Sequence, residues 1–155
     1  MAYQATQYIR QVEAKPYAEA TLRYLYRHNI PLLIASSNER QMIEGALSRL
    51  GLMRYFDNLI TSPEVGSSKE DPDIFEQAIE MLGRPKANTL LFEDGLHAIT
   101  TATAMGLPVV GVCDSTSIAD QGKIRDLADQ YVLNLGEWLE SDSGIHLTIP
   151  KRRAD

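Results

Sequence analysis

The chain contains little cysteine, no long hydrophobic run and no excess of basic residues. Its single cysteine, Cys113, excludes an intramolecular disulfide, and the neighbours Val110 and Val112 predict that the thiol is a small buried hydrophobic group. No apolar run approaches the roughly 20 residues of a membrane-spanning helix, and residues 1–10 lack the apolar stretch of a secretion signal. We therefore expect a cytoplasmic protein without a membrane partner.

The charge balance argues against another class of partner. Fifteen Lys and Arg residues stand against 21 Asp and Glu residues, which gives a formal net charge of −6. Binding to a nucleic acid backbone therefore has no electrostatic driving force. The 155 residues, of which 44% are hydrophobic and 23% charged, have the size and composition of one soluble globular domain.

Apolar runs typical of strands alternate along the chain with patterns typical of helices. The predicted strands are Leu32–Ala35, Asn58–Thr61, Thr89–Phe92, Pro108–Val112 and Tyr131–Leu133. Helices are predicted from Pro16 to about Asn29, from Glu39 to Leu50, from Pro72 to Leu82, from Ala98 to Met105 and around Trp138, while Ser62–Ser68 is predicted to be a loop. This alternation predicts a parallel sheet with helices on both faces.

Polar residues follow three of these strands. Ser36 and Ser37 follow the first strand, Lys69 lies in the loop after the second, and Glu93 and Asp94 end the third. Ligands of open parallel sheets bind beyond the carboxyl ends of the strands. A serine hydroxyl and backbone N–H groups would bind phosphoryl oxygens there, while a lysine neutralises the charge that moves during transfer. Asp94 would hold a hard divalent cation, with Glu93 as a second ligand or an outer-shell partner.

Each of these residues also has a purely structural interpretation. Ser36 and Glu39 match the capping box of a helix N-terminus. Lys69 is a surface loop charge in this interpretation, which is the commonest state of a lysine. Glu93 and Asp94 would favour the positive end of the helix that follows them.

Other candidates are weaker. Asp71-Pro72-Asp73 is the only D-x-D in the chain, but no strand leads into it, so it is interpreted as ordinary helix initiation. His97 lies near the predicted site, although an exposed helical histidine without a role is the simpler interpretation.

Three segments, taken in order, resemble the haloacid dehalogenase superfamily, in the branch of phosphatases and β-phosphoglucomutases with a helical cap. Leu32–Asn38 resembles the family's second motif, an apolar strand that ends in a phosphate-binding hydroxyl. Ser67–Phe75 resembles the third motif, which contains the lysine. Leu90–Gly95, followed by Ala104–Val109, resembles the fourth, whose acids position magnesium. The similarity extends from about Lys15 to Trp138.

The resemblance implies a three-layer, Rossmann-like α/β fold with a parallel sheet. It further implies a magnesium-dependent phosphatase or phosphomutase that acts on a small phosphorylated metabolite through an aspartyl-phosphate. Ser36 and Ser37 would then bind phosphate, Lys69 would stabilise the transition state, and Asp94 with Glu93 would hold Mg2+. Ser36 and Lys69 are the residues that the resemblance implies for catalysis.

The chain also departs from the family's pattern. It has Glu70 where the family usually has a proline, Gly95 in place of a serine and Ala98 in place of a glycine. The first motif, a strand ending in a D-x-D that carries the aspartate nucleophile, is missing, because no aspartate occurs before Asp57. Since covalent phosphoryl transfer needs a placed nucleophile, we expect the chain alone to be nearly inactive.

The missing motif has a consequence for the fold. In the family that strand is central, between the strand that ends at Ser36 and the one that ends at Phe92. Its loss would expose two apolar strand edges or make the neighbours close up, and we expect copies of the chain to associate through such edges. Residues 1–14 are interpreted as a remnant of the cap, residues 15–140 as the core and residues 141–155 as a polar tail.

Three alternatives remain open from the sequence. In the first alternative, the chain is a catalytically inert module for phosphate binding, metal binding or assembly. A phospho-accepting receiver domain is the second, but in that class the acid pair precedes the hydroxyl and the lysine, whereas here it follows them. In the third, a separate chain supplies the missing strand by strand addition.

Overall fold

The computed structural model describes residues 13–142. The proposed cap remnant and polar tail therefore lie almost entirely outside the described residues. The helices are α1 (Ala18–Arg27), α2 (Arg40–Leu50), α3 (Ser62–Val65), α4 (Asp73–Leu82), α5 (Leu96–Ala104), α6 (Gln121–Leu127) and α7 (Leu135–Asp142). The strands are β1 (Leu33–Ser36), β2 (Asn58–Thr61), β3 (Leu91–Glu93), β4 (Val109–Val112) and β5 (Gln130–Val132). Short 3-10 helices span Met53–Tyr55, Lys86–Asn88 and Ser115–Asp120.

All strand pairings in the described part of the chain are parallel, as the sequence predicts. β1 pairs with β2, with Ser36 opposite Thr61, and β3, β4 and β5 form a second ladder in that order. The predicted three-layer α/β class is confirmed. Within residues 13–142, however, β1 and β3 do not pair with each other, so the predicted single sheet is present as two separate ladders.

Alternating strand residues face two hydrophobic clusters. Val109 of β4 packs with α4 and α5 in a cluster that includes Ile74, Phe75 and Ile99. Val110 and Val112 of the same strand lie in the other cluster, whose buried members also include Leu25, Val132 and Trp138. Because neighbouring strand side chains point to opposite faces, the two clusters lie on opposite faces of the strands.

An apolar cavity of about 620 Å3 separates the two ladders. Leu32–Ala35 line it from the side of β1 and Leu90–Glu93 from the side of β3. The absence of a central strand would either expose the edges of its two neighbours or let those neighbours close up. In the structure, β1 and β3 stay apart.

Several boundaries differ from the sequence prediction for identifiable reasons. β1 begins one residue late, because the N–H of Leu32 donates to Asp57 Oδ2 (2.8 Å) instead of to a strand. β5 ends one residue early, because the N–H of Leu133 donates to Glu137 Oε1 (2.7 Å). β3 similarly begins at Leu91, where pairing with β4 starts.

Three further predictions need correction. Ser62–Ser68 was expected to be a loop, but its first four residues form α3, since Pro63 is compatible with a first helical turn and Gly66 (φ 85°) ends it. The 3-10 segment at Ser115–Asp120 and helix α6 were not predicted. Cys113 is half-buried rather than buried, because β4 ends at Val112.

The described residues contain no helix long and apolar enough to span a membrane.

Candidate phosphate-binding site

The predicted polar residues lie at the carboxyl ends of the strands. Ser36 is the last residue of β1 and is buried, with 8% of its surface exposed. Its Oγ accepts a hydrogen bond from the N–H of Asn38 (3.0 Å). The capping-box interpretation is therefore wrong, since α2 is preceded by Glu39 and receives no side-chain cap. Ser37 follows with an exposed side chain.

Lys69 is held against the end of β3. Its Nζ donates to Glu93 Oε1 at 3.0 Å, and only 19% of the lysine side chain and 11% of the glutamate side chain are exposed. Lys69 is thus not a surface loop charge. Because this ion pair joins the loop after β2 to the end of β3, the carboxyl ends of the two ladders lie at the same edge of the molecule.

Both carboxylate oxygens of Glu93 accept hydrogen bonds from neighbouring donors. Its Oε2 accepts hydrogen bonds from the N–H groups of Asp94 and Gly95, both at 3.1 Å, while Oε1 binds Lys69. The carboxylate therefore positions the lysine and ties down the turn into α5. Of the two roles that the sequence allowed for Glu93, this geometry favours the outer-shell one.

Asp94 takes part in an ion pair that the sequence did not predict. Nζ of Lys15 lies 3.0 Å from Asp94 Oδ2 and 2.6 Å from Asp114 Oδ1. Asp114 follows β4, so the strand-end rule that found Asp94 would also have found it. Lys15 follows no strand, and its position near the site has no signal in the sequence.

The pKa values of Lys15 and Asp114 shift in the directions that their contact requires. The hydrogen bond from Lys15, with further bonds from Thr116, lowers the pKa of Asp114 from 3.8 to about 2. Burial of Lys15 disfavours its charged form, but its hydrogen bonds to Asp114 and Asp94 outweigh burial and raise its pKa. The Lys15 ammonium and the Asp114 carboxylate are therefore charged at neutral pH.

The oxygen chemistry at Asp94 fits a magnesium ion. Mg2+ is commonly bound through one or two carboxylates together with substrate phosphate and water, so a dedicated protein cage is not required. The described residues contain no group of three or more His, Cys, Asp or Glu side chains suited to a metal ion. Asp94 is the carboxylate available for this role, although it now binds an ammonium.

The weaker candidates lie outside this constellation. His97 is 81% exposed and its Nδ1 lies 3.8 Å from Glu70 Oε2. Asp71 and Asp73 are exposed at the start of α4, which agrees with helix initiation.

The model of the haloacid dehalogenase-like hydrolases matches residues 2–106. The chain belongs to this family. It is 32% identical over 112 residues to the validoxylamine A 7'-phosphate phosphatase of Streptomyces hygroscopicus subsp. limoneus, covering 70% of this chain and 53% of that protein. It is 29% identical over 126 residues to the bifunctional riboflavin kinase/FMN phosphatase of Arabidopsis thaliana, covering 81% and 32%.

The solved structures agree with this assignment. The fold superposes on a HAD phosphatase from Thermococcus onnurineus with a TM-score of 0.79 and 25% identity, covering 94% of this chain and 65% of that one. The chain spans about half the length of the curated relatives that it matches, between 32% and 60% for the relatives compared.

Proposed function

We propose that this chain carries the phosphate-binding part of a magnesium-dependent phosphatase or phosphomutase site that acts on a small phosphorylated metabolite. The observation that supports this best is the Lys69–Glu93 ion pair, which fixes a half-buried ammonium at the edge where Ser36 ends β1 and Asp94 follows β3. The family membership and the phosphatases among the relatives support the same reaction class.

Each residue has a defined task in this proposal. The hydroxyls of Ser36 and Ser37, with backbone N–H groups at the start of α2, bind phosphoryl oxygens. Lys69, oriented by Glu93, offsets the charge that accumulates on the phosphoryl group during transfer. Asp94 holds the magnesium ion, with Glu93 in the outer shell. Mg2+, when bound, would supply further neutralisation of phosphoryl charge.

The nucleophile of an aspartyl-phosphate mechanism is not among these residues. Both carboxylates at the end of β3 are ion-paired with lysines, and each has a role in the proposal already. We therefore propose that residues 13–142 bind the phosphoryl group but do not turn it over alone. p-Nitrophenyl phosphate hydrolysis with Mg2+ checks this: activity of the isolated chain that is abolished by Asp94→Ala would contradict it.

Phosphate binding is tested directly by calorimetric titration with inorganic phosphate. Wild-type chain is expected to bind, and Lys69→Met is expected to weaken binding at least tenfold, since the substitution removes the ammonium but keeps the aliphatic stem. Lys123→Met, on exposed α6, is the matched control and should leave affinity unchanged. Equal affinities for all three proteins would refute the assigned site.

The cavity between the ladders favours a second candidate function, that of an inert assembly module. Such a module would use the open edges of β1 and β3 without any chemistry at Lys69. It is distinguished by phosphate affinity, because an assembly module has no reason to bind phosphate through Lys69.

A further inference from the structure

The Lys15 ammonium is shared unequally by its two carboxylates. Its Nζ lies 2.6 Å from Asp114 Oδ1 and 3.0 Å from Asp94 Oδ2. The shorter contact is a charge-assisted hydrogen bond, which is the stronger kind. Because the lysine side chain is only about one-third exposed, water solvates its ammonium incompletely, and the carboxylates compensate for the loss. Asp114 is therefore the principal partner of Lys15 and Asp94 the secondary one.

Asp114 is fixed in place by a second set of contacts. Its Oδ2 accepts hydrogen bonds from the N–H of Thr116 (3.0 Å) and from the hydroxyl of the same residue. These bonds cap the 3-10 helix Ser115–Asp120 and leave Oδ1 facing Lys15. Both oxygens of Asp114 thus have partners within the fold. Asp114 is a fixed acceptor for the ammonium, not an uncommitted ligand for a metal ion.

The carboxylate of Asp94 is held less firmly. Among the residues that the structure describes, Lys15 is the one partner of its side-chain oxygens. No backbone N–H or hydroxyl within residues 13–142 donates to this side chain, in contrast to Asp114 and to Glu93. Asp94 can therefore exchange its partner without the loss of any other contact of its side chain.

The backbone that carries Lys15 is held on both sides of the contact. Tyr17 has a φ of 66°, a left-handed conformation that a residue with a side chain keeps only when its surroundings impose it. Its ring approaches Gly136 of α7 so closely that a Cβ there would lie 3.0 Å from the ring atoms. The carbonyls of Lys15 and Tyr17 accept hydrogen bonds from the N–H groups of Ala18 and Thr21, both at 3.0 Å. The flexible lysine side chain can therefore move while its backbone stays in place.

We propose that Asp114 is a positioning residue for the metal site, because it retains the Lys15 ammonium when Asp94 exchanges that ammonium for a divalent cation. This inference rests on the proposed function, since it takes Asp94 as the carboxylate that holds magnesium. In the structure, Lys15 bridges both carboxylates. With a cation on Asp94, the ammonium keeps its principal partner and gives up only the secondary one.

Retention by Asp114 differs from a simple effect of charge. Without Asp114, Asp94 is the only acceptor left to Lys15 among its present partners, so the ammonium competes more strongly with a cation. Loss of a nearby negative charge also weakens cation binding, whether or not a lysine is present. The two effects are separable, because only retention requires Lys15.

The test is calorimetric titration with MgCl2 at pH 7 of wild type, Asp114→Asn, Lys15→Met and the double variant. Thermal melting first establishes that each protein is folded at the temperature of the titration. We expect Asp114→Asn to weaken Mg2+ binding at least fivefold in the wild-type background. The same substitution should cause a loss at least threefold smaller in the Lys15→Met background. Asp126→Asn, which removes an exposed negative charge on α6, is the matched control and should change the affinity less than twofold.

Three results of this cycle would overturn the proposal. Losses that agree within threefold in the two backgrounds would show that Asp114 acts only through its charge. A larger loss in the Lys15→Met background would make Asp114 a metal ligand. Tighter binding by Asp114→Asn would mean that Asp114 clamps the ammonium over Asp94.

The same titrations separate this inference from the proposed function. If neither wild type nor Lys15→Met binds Mg2+, the metal role of Asp94 fails and the inference fails with it. If both bind and the losses are equal, only the retention of Lys15 is refuted and the proposed function stands.

Amide hydrogen exchange provides a readout that does not depend on affinity. In wild type, saturating Mg2+ should leave exchange at Ala18 and Thr21 unchanged, because Asp114 still holds Lys15 and its segment. In Asp114→Asn, saturating Mg2+ should speed exchange at these two amides at least threefold, whereas the amides of β5 serve as the internal control. Faster exchange of the two amides in wild type, to the same extent as in the variant, would show that Lys15 leaves both carboxylates and would overturn the proposal.

Discussion

Lys15 and Asp94 form an ion pair, 3.0 Å from Nζ to Oδ2, that joins the segment before α1 to the end of β3. The same ammonium lies 2.6 Å from Asp114 Oδ1, after β4. A single lysine thus forms ion pairs with two carboxylates at the edge where we place phosphate and magnesium. This arrangement leads to the first two predictions.

Replacement of Lys15 by methionine is expected to strengthen Mg2+ binding at Asp94. The ammonium now competes with any other cation for the Asp94 carboxylate, and both partners are only about one-third exposed. Calorimetry and the shift in melting temperature on addition of Mg2+ measure the effect, with at least a tenfold gain in affinity over wild type expected. The double variant Lys15→Met with Asp94→Asn is the control and should lose the gain. Binding that persists in the double variant would show that the metal does not use Asp94.

Low pH should lower the free energy of unfolding, because Asp114 then becomes protonated. Its pKa is lowered from 3.8 to about 2, so the contribution of this carboxylate is fully present well above pH 3.8 and is lost as the pH falls towards 2. Because the side chain is 27% exposed, we expect about 1 kcal/mol after allowing for solvent screening. Urea unfolding between pH 6 and pH 2 measures it. Asp114→Asn should be less stable than wild type at pH 6 and nearly equal at pH 2; a constant difference across this range would contradict the assignment.

Glu93→Gln is expected to affect the position of the Lys69 ammonium more strongly than the stability of the fold. The amide keeps the shape of the side chain but cannot neutralise a lysine that is 19% exposed. We expect a loss of roughly 1 to 3 kcal/mol in the free energy of unfolding and weaker phosphate binding, because the ammonium is no longer held in place. Glu76→Gln, on the exposed side of α4, provides the matched comparison. A Glu93→Gln chain with unchanged phosphate affinity would show that Glu93 does not position Lys69.

Trp138→Ala should produce the largest loss of stability among these variants. Trp138 is fully buried and packs edge-on against Phe92, with ring centroids 4.9 Å apart, beside the apolar cavity between the two ladders. Removal of such a side chain costs about 3 to 5 kcal/mol, which urea unfolding detects. Leu133→Ala is the control: this leucine is 54% exposed, and its substitution should stay within about 0.5 kcal/mol. A small loss of stability in Trp138→Ala would contradict this prediction and would mean that the wall of the cavity adapts to the loss of the indole.

Local sequence signals predicted the parallel α/β class, the strand-end residues Ser36 and Glu93, and Lys69 in the segment after β2. Apolar runs and stop residues such as Gly51 and Gly83 depend on neighbours in sequence, and both glycines do end helices with positive φ. The unpredicted α6 buries only Ile124, and one buried residue leaves no periodic pattern to detect.

Local sequence patterns could not predict the roles of the charged residues. Glu93 was a candidate metal ligand in the sequence, and only the folded chain shows that its two oxygens are taken by Lys69 and by two backbone N–H groups. Lys15 and Asp114 are 99 residues apart, and no local pattern relates them. Their contact exists because the ends of β3 and β4 bring distant segments to one edge.

The sequence by itself determined the five strands and most of the helices, since periodicity and backbone propensity act over a few residues. It also determined that no D-x-D precedes the serine of β1. Only the tertiary structure decided that β1 and β3 stay apart around an apolar cavity and that lysines pair with the carboxylates of Glu93 and Asp94. Pairing of strand edges and of charges depends on distances between residues far apart in the chain, and those distances exist only once the chain has folded.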